Sequence, residues 1–203
     1  MFTKNVIFFI VVTTGILLSC NPKKAKSDID ITFTPDTLNV GYTYWWPESG
    51  PFIGSCGEEL SLVLVGTLVA LDAPNDDPGP LYTAQRGVVQ IEKVFKIKAL
   101  EEHTYASQQF LTTDCFYGSG LTEGDQVLVS CYDYEGDYSI PGGKSILKIK
   151  GLDVPLINSI KTYIDTDQDP KSIENDFELW AEQGMGKALL QLLDCGEVLG
   201  ETE

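Results

Sequence analysis

The stretch "DTDQDPKSIEND" (165–176) sets Asp165, Asp167 and Asp169 at the first three ligand positions of a calcium loop. Its sixth position, which needs glycine for a sharp turn, holds Pro170, and its bidentate twelfth position holds the shorter Asp176. A solvated loop between two helices is the expectation. "PGGKS" (141–145) echoes the end of a phosphate-binding loop, yet the required spacing puts glycine where this chain has Tyr138, and the flanks read as two strands. A hairpin turn is expected there. "YDYEGDY" (132–138) gathers Asp133, Glu135 and Asp137 around a turn. Glycoside hydrolysis needs a second carboxylate facing them across a cleft, and nothing in the sequence places one. His103 is the only histidine and sits in the polar segment "ALEEHTYAS", so a His-rich zinc site cannot be built and any Ser-His-Asp triad must pass through this one residue. It is expected in a surface loop. No catalytic residue, metal ligand or cofactor is assigned from these motifs.

The amino terminus says where such a chain resides. One lysine precedes an apolar run from Val6 to Leu18, shorter than the roughly 20 residues a bilayer core requires, and Cys20 follows. That is the pattern of a secretory signal peptide over residues 1–19. Leu17, Leu18, Ser19 and Cys20 resemble the lipobox of bacterial lipoproteins, which implies cleavage before Cys20 and acylation of that cysteine. At ~0.8 kcal/mol per buried methylene, two or three acyl chains hold firmly. The expectation is a membrane-anchored, palmitate-bearing lipoprotein of the bacterial cell envelope, at the outer membrane, with residues 20–30 as lipidated cysteine and polar tether.

Without residues 1–20, which contain only Lys4 as a charge, 13 basic side chains face 30 acidic ones, a balance of −17. Nucleic acid is excluded as a partner, since its phosphates would be repelled. The partners that fit are the bilayer through acylated Cys20, a cationic protein surface or an oligosaccharide.

The elements that must position any site are mostly strands. Residues 60–72 form a nearly continuous apolar strand with Gly66 at a bulge or bend. Residues 72–80, acidic and proline-rich, form a loop. In 87–98, Val89, Ile91, Phe95 and Ile97 share one parity, the mark of a long strand with one wet face. Strands follow at 108–114, at 126–132 with Val127, Val129 and Cys131 on one face, and at 144–151. A short strand or extended wrap is expected between 28 and 46. The fold class is mainly β with carboxyl-terminal helices, built on a five-stranded OB-like barrel. The barrel domain with its amino-terminal extension occupies 31–151. A helical segment, 152–203, packs on it, with a break near Gly184, Met185 and Gly186.

Cys56, Cys115, Cys131 and Cys195 remain after the anchor. In an exported chain an even number suggests two disulfides, with three connectivities open, and the absence of C-x-x-C leaves them structural. Ahead of Cys56 stands "YTYWWPESGPFIGSC", stiffened by Pro47 and Pro51. Trp45 and Trp46 either pack against the barrel or contact a ligand.

Cys56 ahead of Val63-Leu64-Val65-Gly66, then Glu92-Lys93-Val94-Phe95-Lys96, then Cys115-Phe116-Tyr117 followed by Gly124-Asp125-Gln126-Val127-Leu128-Val129 resemble, in order and spacing, the bacterial relatives of tissue inhibitors of metalloproteinases. These share the netrin-like module, an OB-type barrel. The resemblance covers roughly residues 55–151 and implies bridges from Cys56 to Cys115 and from Cys131 to Cys195. It does not bring the inhibitory mechanism with it. That mechanism uses an amino-terminal C-x-C pair, and this chain has Gly54-Ser55-Cys56 well inside the mature sequence. The functional expectation is a non-enzymatic binding or interaction module. A protease inhibitor acting through a loop is the alternative, and a carboxylate-based hydrolase the third reading.

Overall fold

The computed structural model describes residues 25–75 and 81–200, with side chains as far as 195. The signal peptide and Cys20 lie outside these residues, as does 76–80 of the acidic loop. Eight strands come first: β1 (Thr34–Asn39), β2 (Gly41–Tyr42), β3 (Leu60–Leu71), β4 (Gly87–Ile97), β5 (Gln108–Thr113), β6 (Gln126–Tyr134), β7 (Asp137–Ile140) and β8 (Ile146–Ile149). Three helices follow, α1 (Pro155–Asp165), α2 (Phe177–Glu182) and α3 (Gly186–Gly200). No helix among the described residues is long and apolar enough to cross a membrane.

The strands form one curled, half-barrel sheet in the order β1-β5-β4-β3-β6-β7-β2, with β8 also on β6. The fold is therefore mainly β with carboxyl-terminal helices, as read from the sequence, but the five-stranded count is exceeded. Two causes account for it. The amino-terminal extension adds β1, parallel to β5, and β2, parallel to β7, so one segment pairs with both ends of the sheet. The final strand is broken in two: β7 opposes residues 132–134 of β6 and β8 opposes residues 126–129. "PGGKS" is accordingly not a hairpin turn. It is a single 3-10 turn, Gly143–Ser145, that interrupts one long strand returning along β6.

β3 and β6 are apolar on both sides because both of their faces are covered. Leu62, Leu64, Val127, Val129 and Cys131 face the concave core with Phe116 and Tyr138. Val63, Val65, Leu128 and Tyr132 face the helices, against Ile160, Tyr163, Trp180 and Leu189. The helical break falls at 183–185, as the glycines suggested, and α1 buries Leu156, Ile160 and Ile164. Gly66 is needed where it stands, since a Cβ there would run into the backbone carbonyl of Gln90. The strand bulges at this point, and Glu92 is skipped between the pairs Gly66–Ile91 and Val65–Lys93. A second skip at Phe95 separates the pairs Leu64–Val94 and Val63–Lys96. Each extra residue reverses the alternation, so Phe95 turns to the helical core while Val89 and Ile91 stay in the concave one. The single face expected for Val89, Ile91, Phe95 and Ile97 is thus split.

The cysteine pairing implied by the resemblance is overturned. Cys56 is bonded to Cys195, with Cα atoms 5.3 Å apart, and Cys115 and Cys131 are buried free thiols. The sheet itself is the reason. Cys115 and Cys131 point into the concave core, whereas α3 packs on the opposite face, so Cys195 cannot reach Cys131. Cys56 lies on the helical side, where the neighbouring Gly57 approaches Leu192 and the Tyr163 hydroxyl.

Burial pushes the Cys115 thiol up from its ordinary 9.0 to about 12, and burial pushes Cys131 up as well. Two outcomes are expected. Alkylating reagent at neutral pH leaves both thiols intact in the folded protein and modifies both after denaturation, as read by intact mass. Because the folded thiols hold their protons longer than unfolded ones, their contribution to stability is whole below pH 9.0 and is lost as pH rises toward 12. Thermal melts above pH 9.0 should shift downward accordingly.

The stretch read as tether is docked over its described part. Ser27 is fully buried, and its backbone N–H and hydroxyl donate to the two Asp165 carboxylate oxygens at 2.7 and 3.0 Å. Ile29 bridges to Val94, and Lys26 pairs with Asp167.

Candidate functional site: an aromatic groove beside the β6–β7 turn

β2 leads straight into a turn closed by a hydrogen bond from Trp46 N–H to the Thr43 carbonyl at 3.1 Å. Thr43 anchors that turn from below. It is buried, its N–H donates to the Ile140 carbonyl at 3.0 Å, and its hydroxyl meets Ser139 Oγ at 3.3 Å. With its base pinned to β7, the turn projects Tyr44 and Trp45 outward. Trp45 is 52% exposed, while Trp46 is half-buried against the helical core. The choice left open from sequence is resolved differently for the two neighbours: Trp46 packs, and Trp45 stands in solvent.

Trp45 is not alone. Tyr44 stacks on Tyr82 with ring centres 4.4 Å apart, and Tyr42 meets Tyr82 edge-on at 5.3 Å. Trp45 meets Tyr44 edge-on at 4.9 Å and Tyr134 at 5.7 Å, and Tyr134 meets Trp46 at 5.9 Å. The rings form a continuous ladder in the edge-to-face and stacked geometries that the aromatic quadrupole favours, which holds Trp45 in one orientation despite its exposure.

The ladder borders a groove of about 850 Å³. Its far side is the segment 100–104, fixed by a hydrogen bond from Glu102 N–H to the Gly136 carbonyl at 3.2 Å and by a reciprocal pair between Thr104 and Leu100. The buried Tyr138 ties this segment down, donating to the Lys98 carbonyl at 2.7 Å and accepting from Tyr105 N–H at 3.1 Å. Burial raises the pKa of Tyr138 and of Tyr42, which keeps both hydroxyls protonated. Glu102, Glu135 and Asp137 stand exposed at the groove, and His103 Nδ1 hydrogen-bonds Asp137.

Of the motifs singled out in the sequence, the "YDYEGDY" turn and His103 come together here. The Asp165, Asp167 and Asp169 stretch does not. Its carboxylates serve separately, to Ser27, to Lys26 and to the backbone N–H of Lys171. Among the described residues no group of three His, Cys, Asp or Glu side chains is placed to hold a metal ion. Sequence reasoning missed Tyr82, Tyr134 and Glu102. The tyrosine-rich composition was a signal for the first two, but nothing local announces that the 100–104 segment folds against Gly136. Ser139 Oγ is occupied by the Gly41 carbonyl and Thr43, and Asp137 is the hydrogen-bond partner of His103.

No protein-family model matches the chain, and no curated protein matches it.

Proposed function

We propose that the protein is an envelope-anchored binding module that holds an oligosaccharide in the groove beside Trp45 and performs no chemistry on it. The observation that carries the reading is the half-exposed Trp45, locked by Tyr44 and Tyr134 at the edge of a groove with exposed carboxylates. Sugar rings present an apolar face to an indole and hydroxyls to carboxylates, and an aromatic ring held rigid loses little entropy on binding. The Leu17 to Cys20 pattern supports anchoring through acylated Cys20 in the outer membrane of a bacterial envelope. The five core strands, taken in sequence with β7 and β8 as one, lie in the order third, second, first, fourth, fifth. That order supports an OB-type reading of the curled sheet. OB sheets bind oligosaccharides with the loops after their first and fourth strands, the positions of Tyr82 and Glu135 here.

The test is direct binding of the full chain, purified in detergent, to immobilised bacterial and plant oligosaccharides. At least one glycan should bind, and Trp45→Ala should weaken it about tenfold, near 1.4 kcal/mol, with an unchanged melting temperature. Failure to bind any glycan, or equal binding by the Trp45→Ala variant, sinks the reading.

A further inference from the structure

Two hollows lie beside the adjacent Trp45 and Trp46. The larger is the groove above, on the Trp45 side. The smaller, about 350 Å³, lies on the Trp46 side and is lined by Trp46, Pro47, Ile53 and three acids, Glu48, Glu58 and Asp133. Tyr134 lines the larger hollow and meets both Trp45 at 5.7 Å and Trp46 at 5.9 Å, so one ring contacts the indole of each hollow, and each hollow is lined by three carboxylates. Neither hollow is lined by a lysine or an arginine.

The charge of these walls is only partly spent inside the protein. Asp137 has His103, Asp133 has Lys98 at 3.7 Å, and Glu48 accepts from the Gly54 N–H at 2.5 Å. Glu102 and Glu135 have no ion-pair partner among the described residues. A neutral sugar would leave these acids beside one another with only water and salt to offset their repulsion. An ammonium group would relieve it, and it would also be attracted to the faces of Trp45 and Tyr134 through the ring quadrupole. From the paired hollows and their lining we infer that the occupant is a glycan bearing free amino groups, at least two residues long, with an ammonium in each space. This rests on the oligosaccharide reading above and sharpens its ligand class: amino sugars lacking their N-acetyl groups, in preference to acetylated or neutral ones.

The probes are the tetramers of glucosamine and of N-acetylglucosamine, with tetralysine as a cation that has no sugar ring, titrated calorimetrically into the full chain in detergent. The glucosamine tetramer should bind at least tenfold more tightly than its acetylated counterpart and than tetralysine. The preference should collapse in the double variant Glu102→Gln, Glu135→Gln, whose melting temperature serves as the folding control, and should shrink in 1 M salt, where charges are screened beyond about 3 Å. Trp45→Ala should weaken both sugars. Equal affinity for the two tetramers, still sensitive to Trp45→Ala, overturns the amino-sugar inference and leaves the glycan reading standing. Tetralysine binding as tightly as the glucosamine tetramer overturns the inference in favour of a basic protein partner. No binding of any glycan, here or on the immobilised panel, removes the underlying reading as well.

Discussion

Replacing Trp180 with alanine should lower the unfolding free energy by about 3–5 kcal/mol, measured by urea denaturation followed by circular dichroism. Trp180 is fully buried between the sheet and α1. Its ring meets Phe52 edge-on at 4.7 Å, and its indole N–H donates to Ser159 Oγ at 2.9 Å. Alanine removes the largest side chain of the helical core and leaves the buried Ser159 hydroxyl without that donor, so the loss belongs at the upper end of the range. Trp180→Phe, which keeps much of the volume and loses only the N–H, should cost less. The effect reaches the groove through Phe52 and Ile53, which sit in the same core as the half-buried Trp46 and lie six or more residues beyond Trp45 and Trp46. Near-ultraviolet dichroism of the ladder should therefore weaken along with stability. A loss under about 1 kcal/mol would show that the helical layer is not part of the cooperative unit.

Removing the bridge between Cys56 and Cys195 should cost on the order of 5 kcal/mol by chain entropy, because the residues are 139 apart in sequence. The Cys56→Ser, Cys195→Ser double variant should melt well below the parent. Reductant should bring the parent down to the variant and leave the variant where it is. Peptide mapping should recover a single linked pair, carrying Cys56 and Cys195. Linked peptides joining Cys56 to Cys115, or Cys131 to Cys195, would contradict the arrangement in which the sheet separates the inner thiols from α3. The bridge also has a positional role. Cys56 closes the segment that begins at β2 and carries Trp45 and Trp46, so that segment is held at one end by β7 and at the other by the last helix.

Much of the architecture was legible in the residues alone, and the reason is local. A strand covered on both faces must be largely apolar, as residues 60–65 are apart from the buried Ser61, and a strand's alternation is set by its own pleat, which put Val127, Val129 and Cys131 together. Helical periodicity in 155–165 and the two glycines near 185 were likewise sufficient for the helices and their break. Gly66 marked a bulge because only a residue without Cβ lets β4 come so close.

Tertiary structure decided what depends on the meeting of distant segments. The bulges at Glu92 and Phe95 reversed the facing of β4, and such skips are set by the curl of the sheet, not by parity in the strand itself. The amino-terminal segment became β1 and β2 because both ends of the curled sheet offered backbone partners. Which cysteines pair followed from which face of that sheet each one occupies. The groove is of the same kind. "YTYWW" announced an aromatic cluster, and "YDYEGDY" announced acids on a turn. Only the fold brought Tyr134 against both Trp45 and Trp46 and laid Glu102 against Gly136, because contacts between segments 34 to 89 residues apart are specified by strand order and register, which no local pattern encodes.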